Sequence, residues 1–379
     1  MKMTERFDAW VHPVMAKYVA RNYSQKISRI KRDNPLLFAK IDPDLLKRFH
    51  RTWDVLGMRA NDDWARFFIN LTGVEDPFFC PPDVYYAKIE RILNDCNCIG
   101  VGPENKNDLS RYLPDGYEPE VVLRWIRGSF FDREYKWMSS GAAKDLLGAE
   151  EGDLVGKPCL LSGGTGVRLF KRDGRGRHVC DGVELSPEFM EKQDASYVVQ
   201  RKIVQSEFGA QFNKSSINTV RMTTMRKPWD GEVVICRSMM RLGVSDTIVD
   251  NMSKGGICVS LGQDGSFWKY GYDYNGKAID HHPLCGVRFE GMKHPYFKNL
   301  FAAAADIHSR IPFYNIISFD LVARPDGSVC CVELNATAQG IIQTQYGFGG
   351  LFGSNTEKVV EWCREHAQYD RFNHFRTWY

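Results

Sequence analysis

The sequence has no apolar stretch approaching the roughly 18 to 20 residues a helix needs to cross a bilayer. Its opening, "MKMTERFDAWVHPVMAKYV", interrupts apolar residues with charges instead of building the hydrophobic centre of a secretory leader. A cytoplasmic location is therefore the default expectation. Paired cysteines are also missing. The eleven cysteines are odd in number and scattered, with only Cys96/Cys98 and Cys330/Cys331 close together, so neither a disulfide framework nor a CxxC zinc site is present. They read as reduced, mostly buried thiols. The cysteines lack a patterned histidine partner, and His281-His282 sits in a turn-like "DHHPLCG" without further ligand spacing, which leaves nucleophilic and zinc chemistry unsupported. Repeats and low-complexity segments are absent as well. What remains is an ordinary globular chain of 379 residues, 43% hydrophobic and 26% charged, long enough for two or three structural units.

Charge of one sign is scarce overall, at +3 net, but it is unevenly placed. Residues 1–52 hold 12 Lys and Arg against 5 Asp and Glu, and the remainder 38 against 42. Within the excess, "RNYSQKISRIKR" (Arg21 to Arg32) suits either a solvated helix face or contact with phosphates of a membrane surface or lipid-linked substrate. No aromatic residues interleave with these charges in the manner of a single-strand binder, so no nucleic acid partner is expected.

The first hundred residues have apolar positions at helical spacing in "PDLLKRFHRTWDVLGM" and "PDVYYAKIERIL", each opened by Pro-Asp. From about residue 118 the character changes to short β-rich runs, "EVVLRWI", "YVVQRKIV", "NTVRMTTM", "EVVICRSMMRLGV" and "SFDLVA/SVCCVEL", with one late helix, "YFKNLFAAAADIHSRI". This is an α+β layout with antiparallel sheets. The most plausible break lies near residue 100, in "GVGPENKND".

The last two runs, "FDLVARPDGSVCCVELNATAQG" (319–340), form a hairpin that carries Asp320, Glu333 and Asn335 inside apolar strands. Asp326-Gly327 is a strong two-residue turn signal, because both positions tolerate positive φ. With that loop, position 325 faces 328 and Asp320 faces Glu333, with Asn335 on the same sheet face. Phe319, Leu321, Val332 and Leu334 then form an apolar opposite face. A three-residue Pro-Asp-Gly loop would slip the register by one and turn the carboxylates inward. Facing carboxylates repel unless a cation or shared proton sits between them, and oxygen donors at this density suit a hard ion, Mg2+ or Mn2+. A solvent-exposed polar sheet face is the plainer alternative.

An Asp on one strand followed by Glu-x-Asn on the next resembles the metal-binding signature of the ATP-grasp superfamily. More specifically, "NTVR" (218–221), "RLG" (241–243), "VDNMSKGG" (249–256), "SFD" (318–320) and "ELNATAQG" (333–340) resemble, in order and spacing, the sugar-transfer associated ATP-grasp proteins found with capsule and exopolysaccharide synthesis. The resemblance implies an ATP-grasp fold in which two α+β subdomains clasp ATP. The helical N-terminal region would cover 1–100 and the ATP-grasp part 101–379, with a small lid at about 125–200 and a large metal-binding subdomain at about 201–375. Asp320, Glu333 and Asn335 would hold two Mg2+ that bridge the phosphates.

Other positions take on roles through the same resemblance. In "GKPCLLSGGTGVRLF" the turn with Gly163, Gly164 and Gly166 frees backbone N–H groups to approach phosphate oxygens, as a nest does. It is neither a P-loop nor a GxGxxG fingerprint, and alone it reads as a tight hairpin. It matches the phosphate-covering flap, and Lys157 the lysine that neutralises the α/β-phosphates. Lys106 fits a second ATP-contacting lysine, or is an ordinary surface lysine. "YVVQRKIVQSE" matches the adenine hinge, with Gln200 where many members have Glu, Lys202 and Ile203 at the adenine edge, and Gln205 or Glu207 reaching the ribose. Arg221 and Arg241 are expected to clamp the transferred phosphoryl group rather than to serve only as salt bridges, since arginines on buried strands need anions. Arg237 falls outside the resemblance. Asp250, Asn251, Gly255 and Gly256 look like a substrate-side loop, or an ordinary glycine turn.

The activity implied is that of an ATP-dependent ligase joining a carboxylate and an amine through an acyl phosphate, on a glycan, peptide or natural-product precursor. The alternatives are an ATP-grasp kinase acting on a hydroxyl and a nucleotide-binding regulatory protein.

Overall fold

Both Pro-Asp openings in the first hundred residues start helices. The computed structural model describes residues 3–94, 102, 104–159, 161, 163–193, 196–246 and 248–370, with side chains from residue 14 onward. Helix α1 spans Met3–Asp33, α2 Pro43–Trp53 and α3 Asp62–Thr72. Asp42 caps α2 by accepting the N–H of Asp44 at 2.9 Å. The buried stripe of α2 is Leu45, Phe49 and Trp53, one residue per turn on a single face. A further helical stretch runs from Pro82 to Leu93, with a π turn at Tyr85–Ile89 between single α turns. The break expected in "GVGPENKND" falls in part on residues outside the described ones, as do Cys96 and Cys98.

The β-rich remainder forms two sheets, with every strand pair antiparallel. The first has the order β3-β2-β1-β8-β4-β5-β6-β7. It comprises β1 (Val121–Ile126), β2 (Ser129–Phe131), β3 (Trp137–Met138), β4 (Leu154–Pro158), β5 (Arg168–Arg172), β6 (His178–Cys180), β7 (Val183–Glu184) and β8 (Tyr197–Arg201). The second has the order β13-β12-β11-β10-β9-β14-β15. Its strands are β9 (Val220–Arg226), β10 (Val233–Leu242), β11 (Ile257–Leu261), β12 (Phe267–Tyr272), β13 (Ala278–Ile279), β14 (Ile316–Ala323) and β15 (Val329–Asn335).

Alternation along β9 and β14 gives the second sheet two different faces. Met222, Ile317, Phe319 and Leu321 pack against Leu300, Ala304 and Ile307 of the helix Phe297–Ser309. On the other face Met225, Met239 and Ile316 share a core with Phe49, Trp53, Trp64 and Phe68 of the helical region. That same face carries Arg221 and Asp320 further along β9 and β14. The N-terminal helices thus cover one end of the face whose other end is charged.

Candidate active site

The 319–340 hairpin reaches the expected pairing by a different route. Its loop has three residues, Pro325-Asp326-Gly327: Arg324 N–H donates to Ser328 O at 2.8 Å, and Gly327 takes φ +82°. Ala323 therefore pairs with Val329 and Leu321 with Cys331, the register of a one-residue slip. Between Leu321 and Asp320 a β-bulge inserts Val332 as an unpaired extra residue, and the slip is cancelled. Asp320 pairs with Glu333, and Ser318 with Asn335. The expected two-residue turn and the placing of Val332 in the apolar set are both corrected: Cys331 takes that place in the core, and Val332 lines the cleft beside Asp320 and Glu333.

Across β9, β14 and β15 the residues Arg221, Asp320 and Glu333 stand in one row. The repulsion expected between the carboxylates is relieved by the protein's own cations. Arg221 donates to both oxygens of Asp320 at 2.8 Å, and Arg241 Nη2 lies 3.0 Å from Oδ2. Although burial raises the Asp320 pKa, these two guanidinium groups outweigh it and hold the carboxyl below its ordinary range. Lys106 Nζ contacts Glu333 Oε1 at 3.0 Å and donates to Leu161 O at 2.9 Å. Arg241 also reaches Asp250 at 3.3 Å, and Asp250 accepts from Thr219 N and Oγ1 at 2.9 and 2.6 Å. Both arginines are thus engaged by aspartates. Arg237, four residues from Arg241, instead donates to the carbonyls of Phe348 and Gly349, away from this row.

The row opens into a cleft between the two sheets, with apolar walls from Val155, Val167, Leu169, Ile203, Ile217 and Ile248. Lys106 and Lys157 enter it from one side, and Arg241, Asp250 and Asn251 from the other. Burial, followed by the nearby Lys106, lowers the Lys157 ammonium to about 8. Gln200 is buried in the same wall, and its Oε1 has no hydrogen-bond partner. Lys202 sits at the exposed rim, 3.6 Å from Asp153. Gly163, Gly164 and Gly166 all have positive φ, between 67° and 74°. Gly164 lines the cleft so closely that a Cβ there would lie 2.7 Å from Asn251 Oδ1, which brings flap and substrate-side loop together.

Eight expected positions are not among the residues that line the cleft: Arg221, Gly163, Gly166, Gln205, Glu207, Gly255, Gly256 and Asn335. Gln205 bonds the carbonyls of Asn213 and Ser216 and accepts from Asn218 N, and Glu207 is exposed in the first turn of a short helix. The Gln205 amide is thus taken up by the 213–218 segment, while Glu207 points to solvent. Gly255 (φ +95°) and Gly256, where a Cβ would collide with Asp250 O, shape the loop.

Sequence reasoning missed a set of contacts made by the N-terminal region and by Glu104 just beyond it. Beyond Asn335, six successive backbone N–H groups are held by three side chains. Glu104 accepts from Ala336 and Thr337, Glu90 from Ala338 and Gln339, and Tyr86 Oη from Gly340 and Ile341. Glu90 is buried, and burial raises its carboxyl to about 8. Ala338 is held at φ +49°, an uncommon conformation outside glycine. Arg221 Nη1 donates to Gln339 O at 3.3 Å, which ties this loop to the charged row. Nothing in the spacing of "KIERIL" or "PENK" marks these acids, because their partners are backbone groups more than 200 residues away.

A family model for sugar-transfer associated ATP-grasp proteins matches residues 134–359, more than half of the chain. The chain belongs to the sugar-transfer associated ATP-grasp family. This ATP-grasp protein is also similar to several solved structures. A biotin carboxylase from Campylobacter jejuni is 11% identical, with 72% of this chain and 48% of that one covered and a TM-score of 0.44. VanG D-Ala:D-Ser ligase from Enterococcus faecalis is 12% identical over 70% and 62%, with a TM-score of 0.37. D-alanine–D-alanine ligase from Bacillus anthracis is 12% identical over 71% and 69%, with a TM-score of 0.34. The chain spans about half the length of the biotin carboxylase (48%). No curated protein matches it in sequence.

The donors of this ATP-grasp protein fit the magnesium its family implies. Asp320 and Glu333 offer hard oxygens from one sheet face, and Asn335 on that face can add its amide oxygen, while its buried and unpartnered Nδ2 can only donate. Asp320 spends three of the about four lone-pair sites of a carboxylate on the arginines, one on Oδ1 and two on Oδ2, which leaves a site on Oδ1. Among the described residues no helix is long and apolar enough to cross a membrane.

Proposed function

We propose that this protein is an ATP-dependent ligase that joins a carboxylate to an amine through an acyl phosphate. The observation that supports this most directly is the pair Asp320–Glu333, with Arg221 clasping Asp320, at a cleft that Lys106, Lys157 and Arg241 also line. Four cations meet three carboxylates there, counting Asp250, and the surplus positive charge suits a polyphosphate.

In this reading the apolar walls take the adenine, with Gln200, Lys202 and Ile203 at its edge. Lys106 and Lys157 neutralise phosphate oxygens, and the Gly163–Gly166 flap closes over them. Asp320, Glu333 and Asn335 hold Mg2+, which when bound screens the charge on the phosphates. An acceptor carboxylate oxygen attacks the γ-phosphorus, the bond to the β–γ bridging oxygen breaks, and ADP leaves. The amine nitrogen then attacks the acyl carbon and loses a proton as inorganic phosphate departs. Arg221 and Arg241, oriented by Asp320 and Asp250, face the transferred group and stabilise its charge. The acceptor is a uronic acid or a similar cell-surface glycan precursor, a peptide or a natural product.

The test is hydroxylamine trapping with ATP, Mg2+ and a panel of sugar acids, amino acids and peptides. Formation of a hydroxamate together with ADP supports a ligase. ADP release with a hydroxyl substrate, no hydroxamate and no dependence on amine would replace it with a kinase. No ADP or phosphate release with any carboxylate and amine pair would leave a nucleotide-binding regulatory protein.

A further inference from the structure

A second cavity, of about 510 Å³, lies between α1 and the segment that follows the charged hairpin. Its volume is that of a small-ligand pocket. On one side are Asn22, Gln25, Lys26 and Arg29; on the other are Tyr274 and Gln343. Four features distinguish it from a merely solvated helix face. First, among the described residues none of these six side chains makes a hydrogen bond or ion pair within the protein. Second, Lys26 is half-buried, and desolvation with no compensating partner pulls its ammonium below its ordinary pKa. Such a cation is stabilised by an incoming anion. Third, the lining is mixed in kind: two cations, four side-chain amides counting Asn275, an exposed tyrosine ring and one carboxylate, Asp33, which Arg32 pairs at 3.4 Å, so charge, hydroxyl groups and an apolar C–H face can all be met in one place.

The fourth feature is position. Tyr23, three residues before Lys26, stacks on Tyr86 at 4.4 Å between centroids. Tyr86 Oη holds the N–H groups of Gly340 and Ile341, and the next two residues, Ile342 and Gln343, line the cavity. A Cβ on Gly340 would lie 3.2 Å from Arg221 Nη1. The cavity is thus separated from the charged row by a few residues of one tethered loop.

We infer that this cavity binds a sugar ligand carrying an oxyanion, a carboxylate or a phosphate, with Lys26 and Arg29 on the anion and the side-chain amides on its hydroxyls. The inference deepens the ligase reading by giving the glycan-side substrate a binding place supplied by the N-terminal region. It concerns binding alone, so it stands or falls separately from the chemistry.

The experiment is calorimetric titration of the full chain with glucuronate, glucose 6-phosphate and glucose, without nucleotide, repeated on Lys26→Met and Arg29→Gln. Affinity for a non-hydrolysable ATP analogue is measured in parallel. The expected result is binding of at least one anionic sugar, with glucose at least tenfold weaker. Each variant should lose at least tenfold in anion affinity while its nucleotide affinity stays within twofold. Preference for glucuronate assigns a carboxylate ligand, and preference for glucose 6-phosphate a phosphate. Equal binding of glucose and the anions, or no binding of either anion, overturns the inference. So does unchanged anion binding by whichever variants fold. Sedimentation with anionic phospholipid vesicles, lost in the variants and without binding of soluble sugar, would replace it with a membrane contact. Binding as expected without any hydroxamate from a carboxylate substrate would overturn the ligase reading and leave this inference standing.

Discussion

Arg221 stands directly opposite Asp320 on neighbouring strands and grips it with two parallel hydrogen bonds, Nε to Oδ1 and Nη2 to Oδ2, both 2.8 Å. Asp320 is fully buried and Arg221 mostly so, and Arg241 leans on the same carboxylate. Asp320 therefore does two things at once: it offers oxygens to the cleft and fixes the two guanidinium groups beside it.

The two carboxylates of the hairpin should consequently respond differently to removal of charge. Asp320→Asn leaves Arg221 without its counter-ion and Arg241 with Asp250 alone, which for a largely buried pair costs about 3–5 kcal/mol. Glu333 is partly exposed and has a single lysine contact, so Glu333→Gln should cost less than about 1 kcal/mol. Urea denaturation of both variants checks the contrast. Both should lose Mg2+-dependent ADP release.

Lys157 gives nucleotide binding a pH dependence. Its ammonium titrates near 8 because burial and Lys106 disfavour the charge. Polyphosphate binding favours the charged form, so affinity for an ATP analogue should be highest below pH 8 and fall as pH rises toward 9.5. Lys157→Met should weaken binding at pH 7 by at least tenfold and flatten that part of the profile. In the free protein the sign is opposite: the folded state binds fewer protons than the unfolded one between pH 8 and 10.5, so Lys157 contributes stability that grows with pH across that window.

Glu90 shifts the other way. Its folded pKa of about 8 lies above the ordinary 4.5, so the folded state holds more protons than the unfolded one between those values. Its contribution to stability is lost as pH rises from about 4.5 to 8 and levels off above. Buried Asp83, raised to about 6, adds in the same sense, and His294, lowered to about 4, opposes it. The difference between parent and Glu90→Gln isolates the one group. The variant keeps a carbonyl to accept from Ala338 and Gln339, and its urea midpoint should fall less than the parent's between pH 5 and 8.

The flap offers a steric test. Gly164→Ala meets both a φ of +71° and the Asn251 amide at 2.7 Å. Strain of about 1–3 kcal/mol should be relieved by lifting the turn off Asn251. Analogue affinity should weaken about tenfold or more, with little change in the urea midpoint. An unchanged affinity would show that the flap does not bear on the nucleotide.

Much of the charged row was legible in the primary structure because strand alternation is local: Glu333 and Asn335 share a face by their spacing alone, and Asp320 joins it because the bulge restores the register the turn had shifted. The turn itself was misread. Pro325 favours the three-residue loop, and the bulge at Val332 that compensates for it has no marker of its own, since valine suits a regular strand equally well. Gln205 shows a similar limit. A polar residue after a strand reads as a ligand until the carbonyls of the 213–216 loop are found against it. Arg221 was recognised as needing an anion, but its place opposite Asp320 depends on a pairing between residues 99 apart. The helices were readable from their apolar stripes and Pro-Asp openings, and their attachment to the loop after Asn335 was not.

That attachment sets a limit on how the protein can be dissected. A version shortened to begin past residue 104 would strip six amides of their acceptors at once and let go of the segment leading away from Asn335. The helical region is accordingly less an appended partner than the keystone of the ATP-grasp half. An excised C-terminal fragment should be expected to aggregate or lose its nucleotide, whatever chemistry the intact chain performs.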